Sequence, residues 1–154
     1  MNMNANRDDY LSFNPMDVSA AAVSGPAGQA AGFGHGLVAV STDRNRLICF
    51  DPRSPVQACN LYGLDAEDDY SQPRHAWHPS GVFIFAKLQN ASVHVFDIRT
   101  SKMADDLKQG GGTAGGHTGA VRDLHHHHSK GVLATASFDK TVKLWSTEGL
   151  SAYT

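Results

Sequence analysis

The run Gly131-Val-Leu-Ala-Thr-Ala-Ser-Phe-Asp-Lys-Thr-Val-Lys-Leu-Trp-Ser146 decides how the 154-residue chain reads. A small turn residue opens it, a nearly continuous apolar segment follows, Phe138-Asp-Lys makes a polar turn, and an alternating segment ends in a large aromatic. Two earlier stretches obey the same template, Gly36 to Asp51 and Gly81 to Asp97, ending in Phe50 and Phe96 where the third has Trp145. Glycine-to-aromatic spacings are 14, 15 and 14 residues, and successive aromatics lie 46 and 49 residues apart. Such a period belongs to all-β repeats in which each unit is one small sheet.

Leu47 and Cys49, Val93 and Val95, and Val142 and Leu144 share one face of each unit's last template strand, with the aromatic on the other. Period two marks half-buried strands. The runs before them, from Leu37, Val82 and Val132, are apolar or small on both faces, as in a strand covered on two sides. Thr42-Asp-Arg-Asn, Gln89-Asn-Ala and Phe138-Asp-Lys supply turn residues whose side chains bond the local backbone. A further strand precedes each glycine: Tyr10 to Pro15, His75 to Pro79, and Val121 to His126. In the first unit an Ala/Gly/Ser-rich insertion separates that strand from Gly36 and reads as a mobile loop. Fourth strands are expected at Val56 to Tyr62 and Lys102 to Lys108, with none after Trp145.

The third unit, with Gly116-His117, Leu133 to Asp139 and Thr141-Val-Lys-Leu-Trp-Ser, resembles a WD repeat of the β-propeller family. The first two units are degenerate relatives of it, ending in Phe-Asp without an upstream Gly-His pair. The resemblance implies an all-β, partial β-propeller of about three four-stranded antiparallel blades. Residues 1–9 form a flexible N-terminus, blade 1 spans about 10–64 with a loop insertion at 16–35, blade 2 about 70–110 and blade 3 about 116–154. It also implies a hydrogen-bonded tetrad in blade 3, in which Asp139 holds His117, His117 reaches Ser137, and Ser137 accepts from the Trp145 indole. A closed chain of donors and acceptors satisfies buried polar groups that would each be costly unpaired.

Ser137, His117 and Asp139 could alternatively form a hydrolytic trio, but catalysis needs an exposed nucleophile beside an oxyanion pocket, and Ser137 ends a sandwiched strand. The run His125 to His128 points alternate imidazoles to opposite faces, so at most two converge, and no Cys or acidic residue is spaced to complete a zinc site. Adventitious nickel or zinc binding is favoured over a specific site. His126, His127 and His128 occupy the repeat positions of Trp77, His78 and Pro79. Gly110 to Gly116 precedes a strand and not a helix, so it reads as a connector without a phosphate-cradling role.

Phe50-Asp-Pro-Arg53 and Phe96-Asp-Ile-Arg99 are similar to the blade endings of WD-repeat substrate receptors for cullin-RING ubiquitin ligases, where the arginine docks the ligase adaptor. Pairing of each arginine with its own aspartate is the structural alternative. Asp65 to Asp69 is a short acidic loop, read as solvated. The net charge of −2, without a Lys/Arg run, gives no footprint for nucleic acid, and no segment is apolar for the length of a membrane span. Cys49 and Cys59 are too few for a disulfide scaffold and favour buried reduced thiols, with a facing arrangement across neighbouring strands left open. The expectation is a non-catalytic protein-binding scaffold of the cytoplasm or nucleus, without cofactor or metal. Its partners are other proteins. Three blades leave exposed faces, so self-association or another chain would complete a ring.

Overall fold

The computed structural model describes residues 14–21, 36–43, 46–54, 56–63, 72–87, 91–107 and 115–153, with side chains to residue 150. Eleven strands and a terminal 3-10 helix make up these residues. Sheet 1 runs β1 (Pro15–Ala20), β2 (Val38–Thr42), β3 (Arg46–Phe50) and β4 (Gln57–Tyr62) in spatial order. Sheet 2 repeats the meander with β5 (His75–Trp77), β6 (Phe83–Lys87), β7 (Val93–Asp97) and β8 (Lys102–Asp106). Sheet 3 has three strands, β9 (Val121–His127), β10 (Val132–Ser137) and β11 (Val142–Ser146), followed by the 3-10 helix Glu148–Tyr153. All pairings are antiparallel.

The registers show why the sequence template recurs. Phe50 pairs with Val38, Phe96 with Ile84 and Trp145 with Leu133, so each aromatic sits at one position of its hairpin. Gly36, Gly81 and Gly131 open the second strand of each sheet with φ of 78°, 70° and 57°, a left-handed bend that an L side chain resists. A Cβ on Gly131 would also meet Glu148 Cγ at 3.2 Å.

Successive sheets pack through opposite faces. The Ala39, Leu47, Cys49, Cys59 and Leu61 face of sheet 1 meets Ile84, Ala86 and Phe96 of sheet 2 in one apolar layer. The other face of sheet 2, Phe83, Phe85, Val93 and Val95, meets Leu124, Leu133 and the half-buried Trp145 of sheet 3 in a second. Each fully buried aliphatic or aromatic side chain contributes about 1.5–3 kcal/mol by leaving water, so these layers hold the sheets to one another. Val142 and Leu144 occupy on sheet 3 the positions of Leu47 and Cys49 on sheet 1 and of Val93 and Val95 on sheet 2. They are 69% and 71% exposed, whereas those four are buried.

The first strand departs from the sequence expectation. Tyr10 to Phe13 lie outside the described residues, as do 22–35, and β1 occupies Pro15–Ala20, the head of the stretch assigned to the loop insertion at 16–35. Its apolar side chains face outward, with Met16 and Val18 exposed, and its polar ones face sheet 2. The reason is a polar junction. His75 lies between Ser19 Oγ, 2.7 Å from Nε2, and Ser41 Oγ, 2.7 Å from Nδ1. Asp17 accepts from the His75 backbone N–H at 3.2 Å and from Arg74 Nη1 at 3.2 Å. Buried hydrogen bonds outweigh the alternation rule here, because a polar strand with waiting partners packs as well as an apolar one. The acidic loop at 65–69, the turn residues 44–45 and 88–90, and the N-terminus 1–9 lie outside the described residues.

Burial pulls the His75 imidazole down to about 4 from its ordinary 6.5, against the opposing pull of Asp17. A folded value below the unfolded one means that the unfolded chain takes up the proton first. The stability this neutral imidazole contributes is full above pH 6.5 and is lost as the pH falls towards 4, by up to about 3 kcal/mol. His126, also drawn to about 4 by burial, adds to the slope in the same window. Urea unfolding followed at pH 7 and at pH 4.5 should therefore show a marked loss of stability that is smaller in His75→Gln. Equal losses in the two proteins would contradict the assignment.

Candidate functional site

A polar network joins the start of the third repeat to its hairpin. His117 precedes β9, Asp139 sits in the β10–β11 turn, Thr135 lies within β10 and Trp145 within β11. His117 Nδ1 donates to Asp139 Oδ2 at 2.8 Å. On the other side of the ring Thr135 Oγ1 lies 2.7 Å from Nε2. The Thr135 hydroxyl in turn accepts from the Trp145 indole at 2.8 Å.

Ser137 was expected in this place, and the geometry corrects it to Thr135. Trp145 pairs with Leu133 across the hairpin, so Thr135 is its diagonal neighbour on the same face, and Ser137 is two residues nearer the turn. At about 3.3 Å of rise per residue the indole reaches the first and not the second. A bulge between Ala136 and Ser137 further re-aims Ser137. Its hydroxyl donates to the Gly119 carbonyl at 2.8 Å and accepts from the Asp139 N–H at 3.1 Å. The Ser–His–Asp hydrolytic trio is therefore not assembled, since His117 bonds Thr135 and Ser137 is tied to backbone.

Asp139 anchors the turn. Its carboxylate accepts from the Thr141 hydroxyl at 2.6 Å, and from the Thr141 and Thr118 backbone N–H groups at 2.9 and 3.1 Å. The Thr141 hydroxyl, together with His117, holds its carboxyl well below the usual carboxylate range. Gly119 allows the close approach, because a Cβ there would lie 2.9 Å from Asp139 N. Thr135, Thr141 and Gly119 were missed in sequence. Strand parity could have flagged Thr135 as a same-face alternative to Ser137, whereas nothing local marks Gly119.

Arg53 and Arg99 are both closed on their own aspartates. Arg53 donates from its backbone N and Nε to Asp51 Oδ1 at 2.8 and 3.2 Å and from Nη2 to Oδ2 at 3.0 Å. Arg99 repeats this on Asp97, with backbone N and Nε at 2.8 and 3.0 Å from Oδ1 and Nη2 at 2.7 Å from Oδ2. Burial pushes the Asp97 carboxyl up, but the Arg99 bonds outweigh it and the net direction is down. Arg99 also lies 5.8 Å from the Phe83 ring centroid, at a cleft shared with Asp105 and Leu150.

Within the histidine run, His126 points inward and His125 and His127 outward, while His128 falls in the turn beyond β9. His126 pairs with Leu133 as Trp77 pairs with Ile84. Its ring stacks on Phe85 at 5.5 Å and 7°, touches His78 at 5.2 Å, and its Nε2 lies 2.9 Å from Thr147 Oγ1. Among the described residues no three His, Cys, Asp or Glu side chains are set to hold one metal ion. No described helix is long and apolar enough to cross a membrane.

Removing the shared hydroxyl leaves both His117 Nε2 and the indole N–H unpaired, so Thr135→Val should cost about 2–4 kcal/mol, and Ser137→Ala about 1 kcal/mol. Thr135→Ser should recover most of the loss. Chemical denaturation of the three variants checks the order. A Ser137→Ala cost equal to that of Thr135→Val would return Ser137 to the network.

Comparison with known proteins agrees with this geometry. Residues 111–146 match the family described as WD domain, G-beta repeat. The chain is 38% identical over 74 residues to Periodic tryptophan protein 2 of Saccharomyces cerevisiae, a match covering 47% of this chain and 7% of that protein. It is 26% identical over 125 residues to Eukaryotic translation initiation factor 3 subunit I of Taeniopygia guttata, covering 77% of this chain and 36% of the relative. The chain thus spans only a minor part of either relative's length. The matched stretch takes in the third sheet, with the His117–Thr135–Trp145 network and the Asp139 turn.

Proposed function

We propose that this chain is a non-catalytic scaffold that binds protein through the open face and free edge of its third sheet. The exposure of Val142 and Leu144 carries the reading, because the same repeat positions are buried in both preceding sheets. Leaving two aliphatic side chains in water forgoes about 3 kcal/mol of burial, which a partner sheet would recover. Val132, Ala134 and Ala136 extend the face, and among the described residues no fourth strand pairs with β11, whereas β4 and β8 complete the other sheets. One relative is by name a subunit of a translation initiation factor, a part of an assembly, which fits a role in holding other chains. The polar residues of the third repeat are engaged with one another, a use that serves the fold.

A photo-crosslinking residue placed at Leu144 should give several-fold more protein adducts, with itself or with a partner, than one placed at the exposed Lys130 of the β9–β10 turn. Equal yields at the two positions would remove the contact-face reading.

Docking of a cullin-RING ligase adaptor is a narrower version of the same role and would use Arg53 and Arg99. It has no support from the relatives' names, and both guanidiniums already close their own turns. Arg53→Ala combined with Arg99→Ala should then leave adaptor recovery in pull-down unchanged. Loss of recovery from a folded double variant would favour docking.

A further inference from the structure

Cys49 on β3 and Cys59 on β4 are direct cross-strand partners. Partners in an antiparallel pair keep their Cα atoms about 4.5–5.5 Å apart, within the span of about 4.4–6.8 Å that a disulfide bridges. Both side chains lie on the same face, in the layer between sheets 1 and 2, and both are free thiols. The register slips at the next residue, where Phe50 pairs with Gln57, so a β-bulge adjoins the pair.

The two thiols are not equivalent. Cys49 is fully buried, and Cys59, 8% exposed, lies closer to solvent. A hydrogen bond between the thiols, with Cys49 as donor, favours the thiolate of Cys59, and a second from Ser101 on the β7–β8 turn of sheet 2 adds to it. Ser101 is held there at φ 54°, a left-handed conformation unusual for serine. The same sulfur–sulfur bond, then burial, pushes the Cys49 thiol up. An outer, acidified sulfur backed by a protonated partner is the arrangement of an attacking and a resolving cysteine.

We propose that Cys49 and Cys59 form an oxidation-sensitive pair that closes a disulfide between β3 and β4 on exposure to a hydroperoxide and reopens with a dithiol. The Cys59 thiolate attacks the peroxide, its sulfur gains the terminal oxygen as a sulfenic acid, and the O–O bond breaks to release an alcohol or water. Cys49 sulfur then attacks Cys59 sulfur, the S–O bond breaks, and the oxygen leaves as water with the thiol proton. Two thiols are oxidised by one peroxide, which is reduced. The bridge would enclose the turn that carries Asp51 and Arg53, tying the edge strand β4 to the sheet by a covalent bond.

The test uses the reduced full chain, treated with hydrogen peroxide and then unfolded in N-ethylmaleimide. The expected product is a monomer lighter by two hydrogens, taking no maleimide, yielding a Cys49–Cys59 linked peptide and reverting with dithiothreitol. In Cys49→Ser a dimedone adduct should appear on Cys59, and in Cys59→Ser the adduct on Cys49 should be roughly tenfold weaker. Mapping of the unsubstituted chain decides the matter even where a variant fails to fold. Full maleimide labelling after peroxide, bridges only between chains, or added oxygens without a bridge would each overturn the proposal.

Discussion

Burial of sheet faces against one another is the constraint on which the rest of this structure depends. A three- or four-stranded meander has two faces and too few residues to bury either alone, so its stability comes from neighbours. Sheet 2 shows the solution complete, with Ile84, Ala86 and Phe96 covered by sheet 1 and Phe83, Phe85, Val93 and Val95 covered by sheet 3. Nearly every side chain of β6 and β7 is buried as a result. Among the described residues sheet 3 has the same two faces and one cover, and the proposed binding role rests on that asymmetry.

Several polar side chains sit inside this stack on hydrogen bonds to neighbouring strands and sheets, although the Trp77 indole N–H and His126 Nδ1 are buried without one. His75 spans sheets 1 and 2 between two serines, and His126 lies between sheets 2 and 3, stacked on Phe85 and bonded to Thr147. The His117 network does the same work within sheet 3, coupling the loop before β9 to the β10–β11 hairpin. Each such group is neutral or paired, because a lone buried charge costs far more than a hydrogen bond returns. Arg53 and Arg99, in contrast, lie at the turns beyond β3 and β7, where closing on Asp51 and Asp97 organises the exit from the strand.

Much of the architecture was legible in the sequence. The hairpins β2–β3, β6–β7 and β10–β11 follow the glycine, polar turn and aromatic of the template, and β4 and β8 fall within their expected segments. After β11 the described residues hold the 3-10 helix Glu148–Tyr153. The candidate site was legible in its members more than in its wiring. His117 and Trp145 meet on one hydroxyl, that of Thr135, while Asp139 holds the other ring nitrogen of His117. The first strand was misplaced because its signal is inverted, with Asp17 and Ser19 turned inward and Met16 and Val18 outward.

The sequence by itself determined the repeat, the strand class of the template hairpins and which of their side chains share a face, since a period of two and a turn residue at fixed spacing are local properties. Tertiary structure alone decided which partners meet. Thr135 and Ser137 share a face by parity, and only the register of β10 against β11 puts one of them under the indole. Cys49 and Cys59 are similarly brought opposite each other by the pairing of β3 with β4. Whether a polar strand such as β1 can lie inward depends on groups from another sheet, here His75 and Arg74, which are more than fifty residues away along the chain. Contacts of that range are fixed by how sheets stack, and no local pattern encodes them.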